Sequence, residues 1–288
     1  MRILLTGSAG FTGFFFHAAA AKAGHEICVL DVDLTDKVAV AAQVAEIQPD
    51  AVVHLAAISF VGHADDSAFY SVNVVGTTNL LSALVDIKTP IKKVLIASSA
   101  NIYGNCETSP ISEDQYPAPM NHYATSKLAM ECMTRTYMER LPIVMTRPFN
   151  YTGPGQAPHF LIPKLVSHFA RRAESIELGN LHVKREFNDV RMVCNSYLSL
   201  LNHGEPGEVY NVCSGHPFTL SHVLDTLTKI TGHHLKVNVN PAFVRANEVY
   251  RLCGDPTKLN HLMMKHQSSP PNYDLSDTLK WMLAEAAN

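Results

Sequence analysis

Short apolar runs recur along the first half of the chain, separated by longer amphipathic or alanine-rich stretches. The runs at 3–6, 27–30, 51–54, 93–97 and 143–146 are apolar almost throughout rather than alternating. Continuous apolarity marks strands covered on both faces, as in a parallel sheet with helices above and below. The intervening segments are long enough for crossover helices. Residues 14–23, rich in alanine, predict a helix that stops at Gly24, and 68–86 and 123–140 predict the two longest helices.

After Pro148 the texture changes. The run NYTGPGQAP, 150–158, reads as a loop. Residues 190–201 then predict a helix and VYNVC, 209–213, another buried strand, so the chain is expected to return to the sheet there. Helices at 220–231 and 274–287 would join 151–187 in a smaller lobe. The expected architecture is α/β, a doubly wound parallel sheet over 1–150 that is rejoined at 188–213, with 151–288 mainly a smaller C-terminal α/β lobe.

Composition narrows what such a fold can do. With 47% hydrophobic and 17% charged residues the chain is an ordinary globular one, and a formal net charge of −3 offers no broad basic face for nucleic acid. The six cysteines show no C-x-x-C spacing, and the 15 histidines no H-E-x-x-H pattern, so no metal is expected. Arg2 leads straight into a strand, leaving no room for a leader, and no apolar run approaches membrane-spanning length. These features predict a cytoplasmic protein with reduced thiols and no membrane partner.

The chemistry starts in LLTGSAGFTGFFFHAAAA, where Gly7, Gly10 and Gly13 lie between the first strand and the first helix. Glycine lets the backbone approach a pyrophosphate closely, and a helix N-terminus offers it free N–H groups. The spacing is G-x-x-G-x-x-G, and a strand before with a helix after is the context that makes it a dinucleotide site. Asp31, 18 residues after Gly13, stands where a carboxylate would accept a hydrogen bond from an adenosine ribose and repel a 2′-phosphate, a lean towards NADH. The acids of Asp33-Leu34-Thr35-Asp36 follow at once, so the usual third strand reads as merged or missing. Helix capping at Thr35 or Asp36 accounts for these acids equally well.

Tyr123 and Lys127 are four apart at the start of a helical pattern, hence on one face, and only this one of the ten tyrosines has a lysine at that spacing. A nearby ammonium favours the phenolate, so Lys127 is expected to lower the Tyr123 pKa towards neutrality and fit it for proton transfer. Ser99, in the hydroxyl-rich strand end Ser98-Ser99, could donate a hydrogen bond to a reacting carbonyl oxygen.

With these residues the chain resembles the extended short-chain dehydrogenase/reductases that act on nucleotide sugars. The resemblance runs through TGSAGFTG, HLAAIS (54–59), NVVGTTNLL (73–81), SSANIYG (98–104), YATSK (123–127), RPFNYTGPGQ (147–156), KREFNDV (184–190), VYNVCSG (209–215) and GDPTK (254–258). NYTGPGQ, LGNLHVKREFNDV and NPAFVRANEV resemble the branch handling GDP-6-deoxyhexoses, its 4,6-dehydratases and 4-keto reductases. The resemblance implies a Rossmann-type domain with a substrate-binding lobe, Ser99, Tyr123 and Lys127 as catalytic residues, and NAD(P)H as cofactor. It places the cofactor on Gly7, Gly10, Phe11, Thr12 and Gly13, on Asp31, Asp33 and Leu34, on Leu55, Ala56 and Ala57, and on Asn73 and Pro148. It gives Ser59 and Asn101 to the sugar, Asn150 to the diphosphate, and Arg185, Arg245 and Glu248 to the nucleotide half. It also implies a homodimer formed through the helices at 68–86 and 123–140.

Asn101 divides the possible reactions. In the resembling dehydratases a glutamate stands two residues before the tyrosine of the -YG motif, where this chain has Asn101, two before Tyr103. An amide cannot serve as the base that removes a C5 proton, so dehydration is disfavoured and reduction of a 4-keto group is the leading expectation. The resembling reductases often carry an acid there too, and Asn101 can equally satisfy loop backbone groups. The expected reaction is reduction of GDP-4-keto-6-deoxy-D-mannose to GDP-D-rhamnose or its C4 epimer. A 4-epimerase or 4,6-dehydratase with tightly bound NAD(P), or a nucleotide-binding regulator without catalysis, are the alternatives.

Overall fold

Along the first strand, Ile3 and Leu5 point to one side and Leu4 to the other, and all three are fully buried. That split, repeated in the neighbouring strands, gives the sheet two covered faces. The computed structural model describes residues 1–241, 249–268 and 273–286. In chain order the first part comprises β1 (Arg2–Thr6), α1 (Phe11–Lys22), β2 (Glu26–Val29), α2 (Lys37–Ile47), β3 (Ala51–His54), α3 (Asp66–Tyr70), α4 (Thr77–Asp86), β4 (Lys93–Ala97), α5 (His122–Arg135) and β5 (Ile143–Pro148). There follow β6 (Tyr151–Thr152), α6 (Leu161–Ala170), β7 (Ser175–Leu178), β8 (Lys184–Arg185), β9 (Asn188–Asp189), α7 (Val190–His203) and β10 (Val209–Val212). The rest is β11 (Phe218–Thr219), α8 (Leu220–Thr231), β12 (Lys236–Val239), β13 (Arg251–Leu252), α9 (Thr257–Lys265) and α10 (Leu275–Ala286).

Six strands form a parallel sheet in the order β10-β5-β4-β3-β1-β2. On one face Ile3, Leu5, Val53, Leu95 and Val144 pack against Phe16 of α1 and Val193 and Leu200 of α7. On the other Leu4, Val52, Val94, Ile96 and Met145 meet Val40 of α2, Leu80 and Leu84 of α4, and Met130 of α5. This is the doubly wound arrangement expected. β2 is an edge strand, so the usual third strand, merged or missing in the sequence pattern, is absent from this sheet. The chain instead enters α2, capped by the Asp36 carboxylate, which accepts from the Val38 and Ala39 N–H groups at 3.0 Å.

Three expectations are corrected. The sequence pattern predicts a helix over 123–140, but α5 stops at Arg135 and tight turns, such as Arg140 N to Tyr137 O, lead into β5. α3, a π-helical stretch Ser71–Gly76 and α4 form one unbroken helical run, which by length and composition could cross a membrane. Half of its apolar window is buried inside the fold, and those side chains are the sheet's own helical cover. α9, within the 151–288 stretch expected to be mainly the small lobe, packs Leu259, Leu262 and Met263 onto the main sheet's core instead.

The smaller lobe has its own core, in which Leu165 and Phe169 of α6, Ile176 and Leu178 of β7, Val223 and Leu227 of α8, and Leu279 of α10 meet. A buried carboxylate fastens it to the sheet. Glu186, fully buried, accepts hydrogen bonds from Ser214 N at 2.7 Å, Gly215 N at 3.2 Å and Gly254 N at 2.7 Å, and from Ser214 Oγ and Asn188 Nδ2. Three backbone amides thus depend on one side chain for their partner. Glu186→Ala leaves them unsatisfied and should lower the unfolding free energy by about 2–4 kcal/mol. Urea denaturation checks this, and an unchanged midpoint would contradict the clamp.

Candidate active site

The cleft between the sheet's carboxyl edge and the small lobe is built by four loops. Gly7 follows β1 at φ +71°, and a Cβ there would lie 2.7 Å from Ala56 N, while one on Gly13 would lie 2.0 Å from Gly7 O. Only glycine permits this loop to fold so tightly against itself and against the chain after β3. Gly10, at the N-cap of α1, supplies no side-chain cap, and the first turn holds no acid. Among the described residues no side chain caps the first turn of α1, which leaves it open to an anion.

A hydrogen-bond chain fixes the second loop. Thr6 Oγ1 accepts from Leu55 N at 3.2 Å and Ala56 N at 3.1 Å and lies 2.7 Å from His54 Nδ1, while His54 Nε2 lies 2.8 Å from Thr77 Oγ1. Thr77 gives its proton to Asn73 O, so it must accept from Nε2–H, and the neutral ring then accepts from Thr6. Burial, with Lys127 nearby, holds the His54 pKa down to about 3. Asn73, in the π-helical stretch, accepts from Ile58 N and donates to Ile58 O and to Ser126 Oγ, tying the loop after β3 to α5.

α5 is capped by Asn121, whose Oδ1 accepts from Ala124 N at 2.9 Å, and this sets Tyr123 and Lys127 in its first two turns with both side chains buried. Lys127 Nζ donates to Ala97 O at 2.8 Å. Burial lowers its pKa to about 8, opposed by the Glu131 carboxylate one turn on. Glu131 is itself paired with Arg147, Oε1 to Nε 3.0 Å and Oε2 to a terminal nitrogen 2.7 Å, and Arg147 also donates to the Tyr103 hydroxyl at 2.9 Å. The expected lowering of the Tyr123 pKa is not what the structure shows. Burial raises it above the ordinary value, a hydrogen bond with Ser99 opposes the rise, and the Lys127 ammonium is directed to Ala97 O.

The cleft has a volume of about 260 Å³. Gly7, Gly10, Phe11, Thr12 and Gly13 form one wall, and Leu55, Ala57 and Ser59 the next. Ser99, Asn101, Tyr123 and Lys127 stand opposite, and Pro148 and Asn150 close the base. Several expected residues lie outside the lining. Asp31 is exposed beyond β2, and the Asp33 carboxylate accepts from Thr35 N and Oγ1, both at 2.8 Å. Leu34 packs under Gly76, Ala56 bonds back to Thr6, and Asn73 acts from behind the loop. Arg185, in β8, donates to Val249 O and Lys184 O. Arg245 and Glu248 lie outside the described residues.

Sequence reading also missed lining residues. Ala97, Ser98, Phe149, Tyr151, Gln156 and Phe160 face the cleft. Tyr151 was legible only as part of a loop motif, yet its hydroxyl lies 2.7 Å from Thr12 Oγ1 and its ring stacks on Phe11 at 6.1 Å. Gln156 accepts from Thr152 Oγ1 at 2.7 Å.

These residues fit a dinucleotide. The glycine cradle cannot take a Cβ, the α1 amides are uncapped, and the Ser98 hydroxyl, buried in the lining, has no hydrogen-bond partner among the described residues. Among the described residues no three His, Cys, Asp or Glu side chains converge to hold a metal ion.

The profile of the GDP-mannose 4,6 dehydratase family matches residues 15–266. The chain belongs to this family. It is 37% identical over 268 residues to the GDP-6-deoxy-D-talose 4-dehydrogenase of Aggregatibacter actinomycetemcomitans, covering 91% of each chain. It is 36% identical over 274 residues to the GDP-6-deoxy-D-mannose reductase of Pseudomonas aeruginosa, covering 90% of each. Among solved structures, that of RMD from Pseudomonas aeruginosa complexed with NADPH superposes with a TM-score of 0.90 at 32% identity, over 99% of this chain and 98% of that one.

The buried neutral His54 has a consequence for acid stability. Its folded pKa of about 3 lies below the ordinary 6.5, so between those values the unfolded chain binds a proton that the folded one does not, and stability falls as pH drops. Between pH 7 and pH 5 this one group should account for about 2 kcal/mol of the loss. His54→Asn should therefore narrow its stability gap to wild type by that amount at pH 5, as measured by urea unfolding at both pH values. A gap that stays constant would contradict a neutral His54.

Proposed function

We propose that this chain reduces the 4-keto group of a GDP-linked 4-keto-6-deoxyhexose with a reduced nicotinamide dinucleotide, giving GDP-D-rhamnose or its C4 epimer. The observation that carries the reading is Ser99, Tyr123 and Lys127 lining one cleft with the glycine loop, and an amide, Asn101, where dehydration needs a base. The relatives named for GDP-6-deoxy-D-mannose and GDP-6-deoxy-D-talose support the substrate class.

When bound, the nicotinamide supplies hydride to the ketone carbon. The chain's own residues supply the rest. Ser99 donates a hydrogen bond to the ketone oxygen and stabilises the charge that grows there. Tyr123, its pKa raised by burial, stays protonated at neutral pH and gives its proton to that oxygen. Lys127, with a pKa of about 8, is a cation under the same conditions and stabilises the phenolate left behind. Opposite shifts on the acid and on its supporting cation suit the reductive direction.

Asp31 and Asp33, exposed beyond β2, support NADH over NADPH by repelling a 2′-phosphate. The RMD structure, complexed with NADPH, makes this preference the part of the reading to be measured first. The small lobe would hold the nucleotide through Arg185, Arg245 and Glu248. The enzyme would work in the cytoplasm as a homodimer, packing the 66–86 run and α5 on their mates, where Val75 is 50% exposed. Sedimentation showing a monomer at micromolar concentration would contradict the dimer.

Purified protein should consume NADH stoichiometrically with GDP-4-keto-6-deoxymannose and more slowly with the dTDP- and UDP-linked sugars. Redox-neutral turnover without added cofactor would point to an epimerase instead. Tyr123→Phe should cut kcat by about 10²–10⁴-fold. Above pH 8 the wild-type reduction rate should fall as Lys127 loses its proton, and a rate still rising at pH 9 would contradict the assignment.

A further inference from the structure

We infer that Asn101 is a positioning residue whose amide and backbone N–H together occupy both acceptor lone pairs of the Ser99 hydroxyl, so that Ser99 can only donate its proton towards the reacting oxygen. The inference rests on the reductase reading and adds what the amide does there.

Ser99 caps a short 3₁₀ turn, Ala100–Tyr103. Its Oγ receives Asn101 N at 3.2 Å and Asn101 Nδ2 at 3.2 Å. A hydroxyl has two lone pairs and one proton, so two incoming donors leave it one outgoing hydrogen bond. The Ser99 and Tyr123 side chains both line the cleft, and Ser99 opposes the rise of the Tyr123 pKa. A ketone oxygen placed between Ser99 and Tyr123 would meet two donors. Turned the other way, the amide oxygen would take the Ser99 proton, and Ser99 would have none to offer.

The turn that carries Asn101 is pinned. Ala118 N donates to Ile102 O at 2.8 Å, and Gly104 sits at φ +61° so close to Ala118 O that a Cβ would lie 1.9 Å from it. The Tyr103 hydroxyl donates to Asn211 Oδ1 at 2.8 Å and accepts from Arg147 at 2.9 Å. The amide is therefore held where its nitrogen reaches Ser99 without help from substrate. An apolar side chain at 101 would leave one Ser99 lone pair without its donor and the hydroxyl free to turn.

The test compares wild type, Asn101→Leu, Ser99→Ala and the Ser99→Ala/Asn101→Leu double variant, reducing GDP-4-keto-6-deoxymannose with NAD(P)H at pH 7. Asn101→Leu should lose kcat, by up to roughly 10²-fold, with KM little changed, as for a weakened oxyanion donor. In the Ser99→Ala background the leucine should cost nothing further, because its effect runs through Ser99. Wild-type kcat in Asn101→Leu, or an equal loss with and without Ser99, would overturn the inference. An inactive wild type would instead overturn the reductase reading on which it rests.

Discussion

The proposed reaction depends on a phenol and an ammonium buried together against the end of β4. Among the described residues Lys127 has one carbonyl, Ala97 O at 2.8 Å, as its direct acceptor, with the Glu131 carboxylate one turn away as its electrostatic support. Desolvation therefore brings its pKa down to about 8, close to working conditions, while the same burial moves Tyr123 upwards. The pair is polarised: the acid keeps its proton and the cation keeps its charge, but only just. Any change that let water reach α5 here would relax both shifts at once.

That burial relies on a polar framework behind the site. The bidentate Glu131–Arg147 pair, both side chains almost fully buried, connects α5 to β5 and passes through Tyr103 to Asn211 of β10. The 3₁₀ turn after Ser99 is thus fastened to the sheet's far side, where Ile102, Tyr103 and Phe149 form a separate small core with Leu252 of β13. Glu186 adds a second fastening from the lobe side. The proposed catalytic groups stand on rigid elements, and the small lobe is bound to that same frame rather than hinged loosely beside it.

Much of this was legible in the sequence because a parallel sheet covered on both faces leaves long apolar runs, and all five proposed strands of the first part are strands. The glycine loop, Ser99, Tyr123 and Lys127 were readable because their chemistry demands residue types at fixed spacing. What escaped depends on distance in space. The Tyr123 pKa was expected to follow its neighbouring charge, yet the depth of burial decides its direction. Tyr151, Gln156 and Phe160 reach the cleft only because the chain after β5 folds back over it. Leu34 and Asn73 carry motif positions but act from behind the wall, one under Gly76 and the other through Ser126. α9 could join either lobe by pattern, and only its packing decides.

The central claim is that this site moves hydrogen to C4 of a ketosugar and nowhere else. Turnover of GDP-4-keto-6-deoxymannose with cofactor deuterated at nicotinamide C4, followed by NMR of the product, tests it most directly. The account predicts deuterium at sugar C4 alone and no solvent hydrogen exchanged into C5. Solvent label at C5, or a product without deuterium at C4, would contradict it.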